Sequence, residues 1–472
     1  MKKLLLLILL TKQVLAQSCD CTRNFEWVKT TFEQNDAGFE YALLMKGKQA
    51  YLDHNQRIAE KVKSITTLNE CTPVLYEWLQ FFRSGHISIR ITLSTSSAPA
   101  PEQDFSSWEK VSVNEKEFKE YLKMKKEADF EGIWYTEPYT IGIKRMEEEY
   151  VGFILESGTP TWTKGQVKLR FSVHPDKAVF YMRDHSAVHA DNFHLEGKNT
   201  LRIGTFTLKR KYPEFRDEPE LEQYFRSMSA ALPFMEYLNP KTLYFRIPSF
   251  SHEYKSAIDS VLNANKSKIL QTENLIIDIR NGTGGSDVSY KGILPYLYTN
   301  PIRSMGVEFL STPLNNQRML DFISKPEYGF DEEGKKWAKE SYDKLQADLG
   351  KFVSLMDPVM VDKRDTVYSY PKQVGIIINH ENGSTDEQFL LAAKQSKKVK
   401  LFGTTTFGVL DISNMYFVPS PCGEFELGYA LSRSRRIPDF AIDGKGIQPD
   451  YYLDKSIPDS RWTTYVSQIL NE

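Results

Sequence analysis

The spacing of apolar and polar positions changes character along the chain. Residues 22–85 repeat apolar side chains at helical spacing, with Phe25, Val28 and Phe32 on one face. Residues from about 105 to 210 instead alternate aromatic and β-branched side chains with polar ones, in short segments broken by Gly, Asp, Pro and Asn. Such segments predict several short strands in a small antiparallel barrel or sandwich. The remainder alternates strand and helix patterns, so we expect an α/β (α+β) core behind an N-terminal helical region and a β-rich middle.

One strand-to-helix connection carries a serine. The apolar run 374–378 is followed by a turn with Gly383 and then by a helical pattern through Phe389, which predicts a buried strand feeding a helix. Ser384 falls on that turn, where free backbone N–H groups stabilise a developing negative charge. A serine that only caps the helix is the alternative interpretation.

A second connection is rich in glycine. The apolar run 275–279 leads into a turn that contains Gly282, Gly284 and Gly285. Glycines at a strand end indicate positive φ angles or the close approach of a bound group. The turn lacks the Gly-Lys-Ser/Thr ending of a P-loop, so nucleotide binding is not favoured.

A histidine stands between a helix stop and a strand start. The helix pattern ends at Gly85, and an alternating strand begins at His86. A side chain on a connection between two rigid elements is well placed for catalysis, although a surface histidine is the alternative. His380, four residues before Ser384, is the rival candidate for a general base.

The composition is that of an ordinary globular enzyme. The chain of 472 residues is 41% hydrophobic and 26% charged, with a net charge of −2. This balance gives no electrostatic reason to expect nucleic acid or membrane-surface binding. The four cysteines lack paired Cys-x-x-Cys spacing, which argues against a zinc site.

The first residues have the three regions of a secretory signal peptide. A basic start precedes an apolar run that is too short to span a bilayer, and no later segment is long enough, so we expect cleavage after Ala16 and an exported protein, periplasmic or secreted. Lipid attachment through Cys19 is a lesser alternative. Because exported proteins form disulfides, we expect Cys71 to pair with Cys19 or Cys21.

Five stretches together carry a resemblance. They are LIIDIRNGTGG at 275–285, NGSTDEQFLLAA at 382–393, LFGTTTFG at 401–408, GKGIQPD at 444–450 and FFRSGHISIR at 81–90. In spacing and order these resemble the C-terminal processing and tricorn-type serine peptidase family, and the last block is similar to that of the tricorn-like branch. The resemblance implies a crotonase/ClpP-like core of ββα units that acts on a protein or peptide, with no metal or organic cofactor.

The resemblance also implies roles for individual residues. Ser384 would be the nucleophile and His86 the general base. Asp443 would orient the histidine, in the place where the family branch has a glutamate, and Asp439 is the nearby substitute. The oxyanion donors would be the backbone N–H of Thr385 and of Gly284 or Gly285. Asp278 and Arg280 read as structural.

The chain departs from the family pattern in two places. Many bacterial members place a catalytic lysine where this chain has Val409, so a Ser–Lys dyad is not expected. The neighbouring lysines belong to a basic helix end that complements the helix dipole; they are Lys394, Lys397, Lys398 and Lys400. Many members also carry a PDZ domain, but no carboxylate-binding loop is present here.

These observations predict a domain organisation. The signal peptide would be 1–16, the helical region with the base 17–100, the β-rich domain in the place of PDZ 101–215 and the catalytic core 216–472. A helical insertion at 315–355 reads as a solvated hairpin, or as a lid over the cleft.

The expected function is that of an exported serine endopeptidase with a Ser-His-Asp triad and an acyl-enzyme. A histidine base would make activity rise through roughly pH 6–7. The alternative is a non-catalytic protein that binds a small apolar ligand, since the interphotoreceptor retinoid-binding protein shares the fold. The sequence leaves the oligomeric state and the natural substrate undetermined.

Overall fold

The computed structural model describes residues 20–92, 105–173 and 176–472. The expected signal peptide and Cys19 lie outside these residues, so export and lipid attachment stay predictions. The chain divides into two compact units, one of Met1–Thr95 with Ser227–Glu472 and the other of Ser96–Arg226. The first unit contains most of the predicted helical region and core, and the second contains the predicted β-rich domain. The predicted boundaries after residues 100 and 215 stay predictions.

The N-terminal part of the first unit is helical and ends in a strand. Its elements are α1 (Cys21–Asn35), α2 (Phe39–Lys46), α3 (Lys48–Val62), α4 (Leu68–Gln80) and β1 (Ser88–Ile91). The apolar faces read from the sequence meet in one buried cluster that includes Phe25, Phe32 and Leu75. A disulfide joins Cys21 in α1 to Cys71 in α4, which is one of the two predicted pairings.

The middle unit is β-rich, as expected. Its elements are α5 (Glu115–Lys123), β2 (Gly132–Thr136), β3 (Tyr139–Met146), β4 (Glu149–Ser157), β5 (Val167–Val173), β6 (Asp176–Tyr181), β7 (Ala187–Ala190), β8 (Phe193–Glu196), β9 (Thr200–Ile203) and β10 (Phe206–Tyr212), followed by α6 (Pro219–Met228). In the described residues the strands form one antiparallel sheet in the order β7-β6-β5-β4-β3-β2-β10-β9-β8. Contact between β6 and β8 curls this sheet into a nearly closed barrel around Trp134 and Leu169.

The catalytic core alternates strands and helices, as its pattern predicts. Its elements are β11 (Phe234–Asn239), β12 (Thr242–Arg246), α7 (Lys255–Ile269), β13 (Asn274–Asp278), α8 (Leu294–Leu297), β14 (Ile302–Met305), β15 (Val307–Leu310), α9 (Pro313–Ser324), α10 (Glu332–Ala347), β16 (Phe352–Ser354), β17 (Val359–Asp362), β18 (Gln373–Ile378), α11 (Thr385–Ala393), β19 (Val399–Gly403), β20 (Ile412–Pro419), β21 (Phe425–Ser434), β22 (Tyr451–Tyr452) and α12 (Trp462–Asn471).

A mostly parallel sheet forms the centre of the core. Its order within the described chain is β11-β12-β13-β18-β19-β22, with only β11 antiparallel to its neighbour. Both faces are buried, which explains the continuous apolar runs. Ile277 and Ile376 face a cluster with α7 and α11, whereas Ile276 and Ile377 face α12. Since β13 and β18 are parallel neighbours, the glycine turn and the serine turn leave the same edge of the sheet.

A second sheet of the same unit carries the histidine. Here β1 pairs with β21, which also pairs with β15 and β20, and β16 lies beyond β15. Packing of this sheet against the N-terminal helices buries Tyr429 and Leu431 beside Phe32. His86 therefore precedes a strand that is fixed on one side by β21 and on the other by the helices.

The predicted helical insertion consists of α9 and α10. These helices pack on each other and place Met319 and Leu345 in the N-terminal apolar cluster. The hairpin is therefore solvated on one face only. Every helix within the described ranges is too short or too polar to cross a bilayer.

Candidate active site

Ser384 lies on a strained turn between β18 and α11. Its backbone angles are φ 56° and ψ −117°, a region that a residue with a side chain occupies only when its surroundings impose it. Its N–H donates to the carbonyl oxygen of Val409 at 3.0 Å. This contact ties the serine turn to the loop that follows β19.

A buried carboxylate, that of Glu387 in the first turn of α11, holds the turn. Its Oε1 accepts from the Thr406 hydroxyl at 2.5 Å and the Gly408 amide at 2.8 Å. Its Oε2 accepts from the amides of Val409 at 2.8 Å and Ser384 at 3.2 Å. Burial raises the pKa of Glu387, and these donors oppose the rise. The carboxylate therefore fixes Ser384 relative to loop 406–409.

The glycine turn lies directly against the serine. Gly284 has φ +88°, and a Cβ at that position would stand 2.9 Å from Ser384 Cβ and 3.2 Å from the Thr385 nitrogen. A side chain there would collide with the serine turn, so glycine is what allows the two turns to approach this closely. In the described chain the Thr385 amide, at the start of α11, has no hydrogen-bond acceptor. It is thus available to a developing oxyanion.

Asp386, in the first turn of α11, takes part in contacts that join the serine turn to the glycine turn. Its Oδ2 accepts from the Asn382 side chain at 2.9 Å, and Asn382 also donates to the carbonyl oxygen of Ile279 at 2.6 Å. Burial raises the pKa of Asp386 to about 7, and the amide of Gly284 opposes this rise. The three predicted oxyanion donors, Gly284, Gly285 and Thr385, lie on the two turns that meet at Ser384.

His86 meets Ser384 although 298 residues separate them. Its Nε2 lies 3.1 Å from Ser384 Oγ, and its Nδ1 lies 2.6 Å from the carbonyl oxygen of Ile412. Because a carbonyl only accepts hydrogen bonds, Nδ1 must carry the proton, which leaves Nε2 as an acceptor for the serine hydroxyl. Burial lowers the pKa of His86 to about 4, and Arg83 lowers it further than Asp36 restores it. The ring is thus neutral at ordinary pH.

A buried ion pair positions the histidine. His86 has φ 52°. Arg83 donates to both carboxylate oxygens of Asp36, at 2.7 and 2.5 Å, and to the carbonyl oxygens of Gly85 at 3.1 Å and His86 at 2.8 Å. Asp36 also accepts from the amides of Gly38 and Ala430. The strained turn is thus held from α1 and from β21.

Asp443 does not take the position expected of the third triad member. Instead of His86, its carboxylate accepts from the amides of Leu410 and Asp411, each at 2.6 Å, and Ile412 at 3.2 Å. Burial raises the pKa of Asp443 to about 6, and the charge of Asp411 adds to the rise. The expected contact fails because the backbone of residue 412 lies between the two side chains. Asp443 holds the segment whose carbonyl orients His86.

Asp411 makes the reciprocal contact. Its carboxylate accepts from the amides of Ile442 at 2.6 Å and Asp443 at 2.8 Å, and it forms an ion pair with Arg436 at 2.9 Å. Each of the two aspartates therefore binds the backbone of the loop that carries the other. Two loops that are distant in sequence are locked together directly behind the histidine.

The other predicted candidates lie elsewhere. His380 is exposed, with its ring against Phe407, and Asp439 is exposed. The lysines at 394–400 follow the far end of α11, about 14 Å of helix from Ser384. Asp278 and Arg280 form a buried ion pair at 2.7 Å, in keeping with the structural role expected for them. The described residues contain no group of His, Cys, Asp and Glu side chains that would hold a metal ion.

Several site residues had no role in the sequence analysis. Glu387 follows Ser384 at the spacing of a capping box, a pattern that would have indicated its contact with the Ser384 amide. Arg83 and Asp36 are 47 residues apart, and nothing local pairs them. The acceptor for His86 Nδ1 is the backbone oxygen of Ile412. Because every residue has such an oxygen, the sequence does not indicate which one binds the histidine.

Comparisons with known proteins identify similar sequences and folds. The model of peptidase family S41 matches residues 241–453. A search of curated proteins returned no match. Among solved structures, mature CPAF is 13% identical over 96% of both chains with a TM-score of 0.53. CPAF complexed with lactacystin is 14% identical over 96% of this chain and 97% of that chain, with a TM-score of 0.54.

A photosystem II D1 C-terminal processing protease is also similar, at 13% identity over 96% of this chain and 98% of that chain, with a TM-score of 0.38. At these identities the two CPAF structures indicate a shared fold, whereas the family match covers the segment that contains both the glycine turn and the serine turn. Residues 241–453 match peptidase family S41, and the chain is a serine-type peptidase.

Proposed function

We propose that the chain is an exported serine endopeptidase that forms an acyl-enzyme on Ser384 with His86 as general base. The observation that carries the proposal is the 3.1 Å contact between Ser384 Oγ and His86 Nε2 on a strained turn. An ordinary helix cap needs no histidine partner. The close approach of Gly284 to Ser384 and the available Thr385 amide support an acyl-transfer site.

The proposed mechanism follows from the protonation of His86. Neutral His86 takes the Ser384 proton at Nε2 while Oγ attacks the peptide carbonyl. The carbonyl oxygen becomes negative and accepts from the amides of Thr385 and Gly285. His86 then donates its proton to the leaving amine, which breaks the C–N bond, and water hydrolyses the ester by the reverse sequence of proton transfers.

Among the residues that the structure describes, no carboxylate lies beside Nδ1 of the imidazolium that forms in this reaction. The carbonyl of Ile412 accepts the Nδ1 proton in both protonation states, and its dipole stabilises the positive charge. Asp443 acts on His86 indirectly, because its carboxylate binds the backbone amides of residues 410–412 and so fixes the Ile412 carbonyl. We therefore propose a Ser384–His86 pair with Asp443 as a positioning residue, in place of a direct Ser-His-Asp triad.

Export is proposed on two grounds. The first 16 residues have the pattern of a signal peptide. The Cys21–Cys71 disulfide is typical of proteins that fold in an oxidising compartment. Cleavage after Ala16 would leave both of these cysteines in the mature chain.

The test uses Ser384→Ala and a matched control, Ser324→Ala, at an exposed serine near the end of α9. Wild type and Ser324→Ala should cleave denatured casein and react with a fluorophosphonate probe. Ser384→Ala should lose both, with a turnover decrease of up to about 10⁶-fold and an unchanged circular dichroism spectrum. Cleavage by folded Ser384→Ala would overturn the assignment. Absence of labelling and cleavage in folded wild type would favour the binding-protein alternative.

A further inference from the structure

A cavity of about 530 Å³ lies beside the base. Its walls come from four segments: α2 with Met45, the turn after α4 with Phe82 and Gly85, the loop 408–412, and the loop 438–445 with Ala441. A cavity of about 150 Å³ already holds a benzene ring. The space here therefore accommodates a large side chain together with the backbone that carries it.

The cavity has a defined position relative to the reacting groups. Val409 forms its inner wall and packs against both turns of the site, because a Cβ on Gly85 would lie 2.3 Å from it and a Cβ on Gly383 would lie 2.7 Å from it. Ile412, another wall residue, binds Nδ1 on the side of the His86 ring away from Ser384. Ser384, Thr385 and Gly285 do not line the cavity, whereas Gly85, the neighbour of His86, and Ile412, which accepts from its ring, do. The cavity therefore adjoins the turn that carries the base.

The mechanism of acyl transfer determines which part of a peptide substrate lies on the His86 side of Ser384. The leaving amine must take its proton from His86, so the residue that carries this amine lies next to the histidine. The acyl part of the substrate extends in the other direction, since its carbonyl oxygen faces the Thr385 amide. The cavity is therefore on the path of the leaving fragment.

Most of the charged groups on the walls already have protein partners. Arg83 is paired with Asp36, the Asp443 carboxylate accepts from three amides, and Lys46 donates to the carbonyl oxygen of Phe81, whereas Lys445 is exposed to solvent. A charged substrate group would have to compete with these partners and lose its hydration. An apolar side chain meets no such cost and buries surface against Met45 and Phe82.

We propose that this cavity is the specificity pocket for the first residue of the leaving fragment and that it selects a large apolar side chain. The inference rests on the proposed peptidase function and adds a substrate preference to it. Discrimination between a large and a small apolar side chain in such a pocket is worth about 10- to 200-fold in kcat/KM.

The test uses internally quenched peptides that differ only in the residue after the scissile bond, which is Leu, Ala, Asp or Lys. For wild type we expect kcat/KM to be at least about 10-fold higher for Leu than for Ala, and lower for Asp and Lys than for Leu. Ala441→Phe fills the cavity and should bring the Leu/Ala ratio to about 1. Met45→Glu, at a residue that is 64% exposed and tolerates a polar side chain, should raise the Lys/Leu ratio by about 10-fold or more.

The matched control is Met124→Glu, at a methionine that is 73% exposed and outside the cavity, and its ratios should equal those of wild type. A wild-type Leu/Ala ratio near 1, or ratios that neither pocket variant changes, would overturn the pocket assignment while peptide cleavage and fluorophosphonate labelling persist. Loss of labelling and cleavage in wild type itself would overturn the proposed function and this inference with it.

Discussion

His86 depends on contacts from several parts of the chain. Its ring touches Ser384 and the Ile412 carbonyl, and its backbone is fixed by Arg83. The position of the His86 ring therefore depends on how the N-terminal helices pack against the core. Two predictions concern this residue.

The first prediction is that His86→Ala decreases kcat at least about 10³-fold, because no other proton acceptor contacts Ser384 Oγ in the described structure. Lys394→Ala and Lys400→Ala serve as controls. Both lysines are exposed beyond α11 and should leave kcat within about 2-fold of wild type. Steady-state hydrolysis of one quenched peptide measures all three variants. A lysine variant with the larger loss would mean that the base has been misassigned.

The second prediction concerns the pH profile. Burial lowers the pKa of His86 to about 4, and only the neutral ring accepts the serine proton. Activity is therefore present above this pKa and is lost as the pH falls through it. We expect the His86 limb of kcat/KM near pH 4, instead of the pH 6–7 limb of an unperturbed histidine. Protonation of Asp443, whose pKa burial raises to about 6, adds a separate loss in wild type, so the limb is measured in Asp443→Asn as well. Circular dichroism at each pH separates titration from unfolding. A midpoint at or above pH 6 in Asp443→Asn would contradict the lowered pKa of His86.

At the scale of elements, the site depends on loops that hold each other through backbone amides. Glu387 binds loop 406–409, Asp443 binds residues 410–412, and Asp411 binds residues 442–443. Carboxylates suit this task because each oxygen accepts more than one N–H. Since all three are buried, loss of one leaves several amides without an acceptor.

The third prediction is that Asp443→Asn decreases kcat by about 10- to 100-fold, less than His86→Ala, because it displaces the Ile412 carbonyl and removes no reacting group. An amide has one acceptor oxygen, so at least one of the three backbone N–H groups loses its partner. KM should change less than kcat. Asp439→Asn is the control, since Asp439 is exposed and should behave as wild type.

A direct triad would give a different result for the same variant. Loss of a carboxylate that contacts the base costs about 10⁴-fold in kcat. If Asp443→Asn reaches that value with the circular dichroism spectrum and thermal midpoint of wild type, Asp443 contacts His86 during the reaction.

At the scale of the whole molecule, the base and the nucleophile come from parts of the first unit that are distant in sequence. Helices α1 and α4 are joined by the Cys21–Cys71 disulfide, and α4 leads directly into the turn of His86. The apolar cluster of these helices continues into the sheet that contains β20 and β21. The position of His86 is therefore a property of this entire packed region.

The fourth prediction is that Cys21→Ser with Cys71→Ser lowers the free energy of unfolding of this region by about 2–4 kcal/mol. The bond closes a loop of sequence separation 50, and its loss increases the entropy of the unfolded chain. Urea unfolding followed by activity should show a lower midpoint than wild type, with equal kcat in the absence of urea. An unchanged midpoint would mean that the helices retain their packing without the bond.

Local sequence determined the parts of the site that one short segment forms by itself. The apolar run before Ser384 and the helix pattern after it specify a strand, a turn and a helix, because burial on both sheet faces needs such a run. The glycines at 282–285 indicated a close approach, and Gly284 does lie against the serine. The helix stop at Gly85 placed His86 at the start of a strand.

Only the tertiary structure decided how these segments meet. The acceptor for His86 Nδ1 is a backbone oxygen, which leaves no mark in the sequence, and Asp443 turned out to bind amides in the next loop. The Arg83–Asp36 pair and the cavity beside the base likewise join segments without a common local pattern. Residue order fixes contacts within a turn or a helix, whereas contacts between loops depend on how the sheets and helices pack.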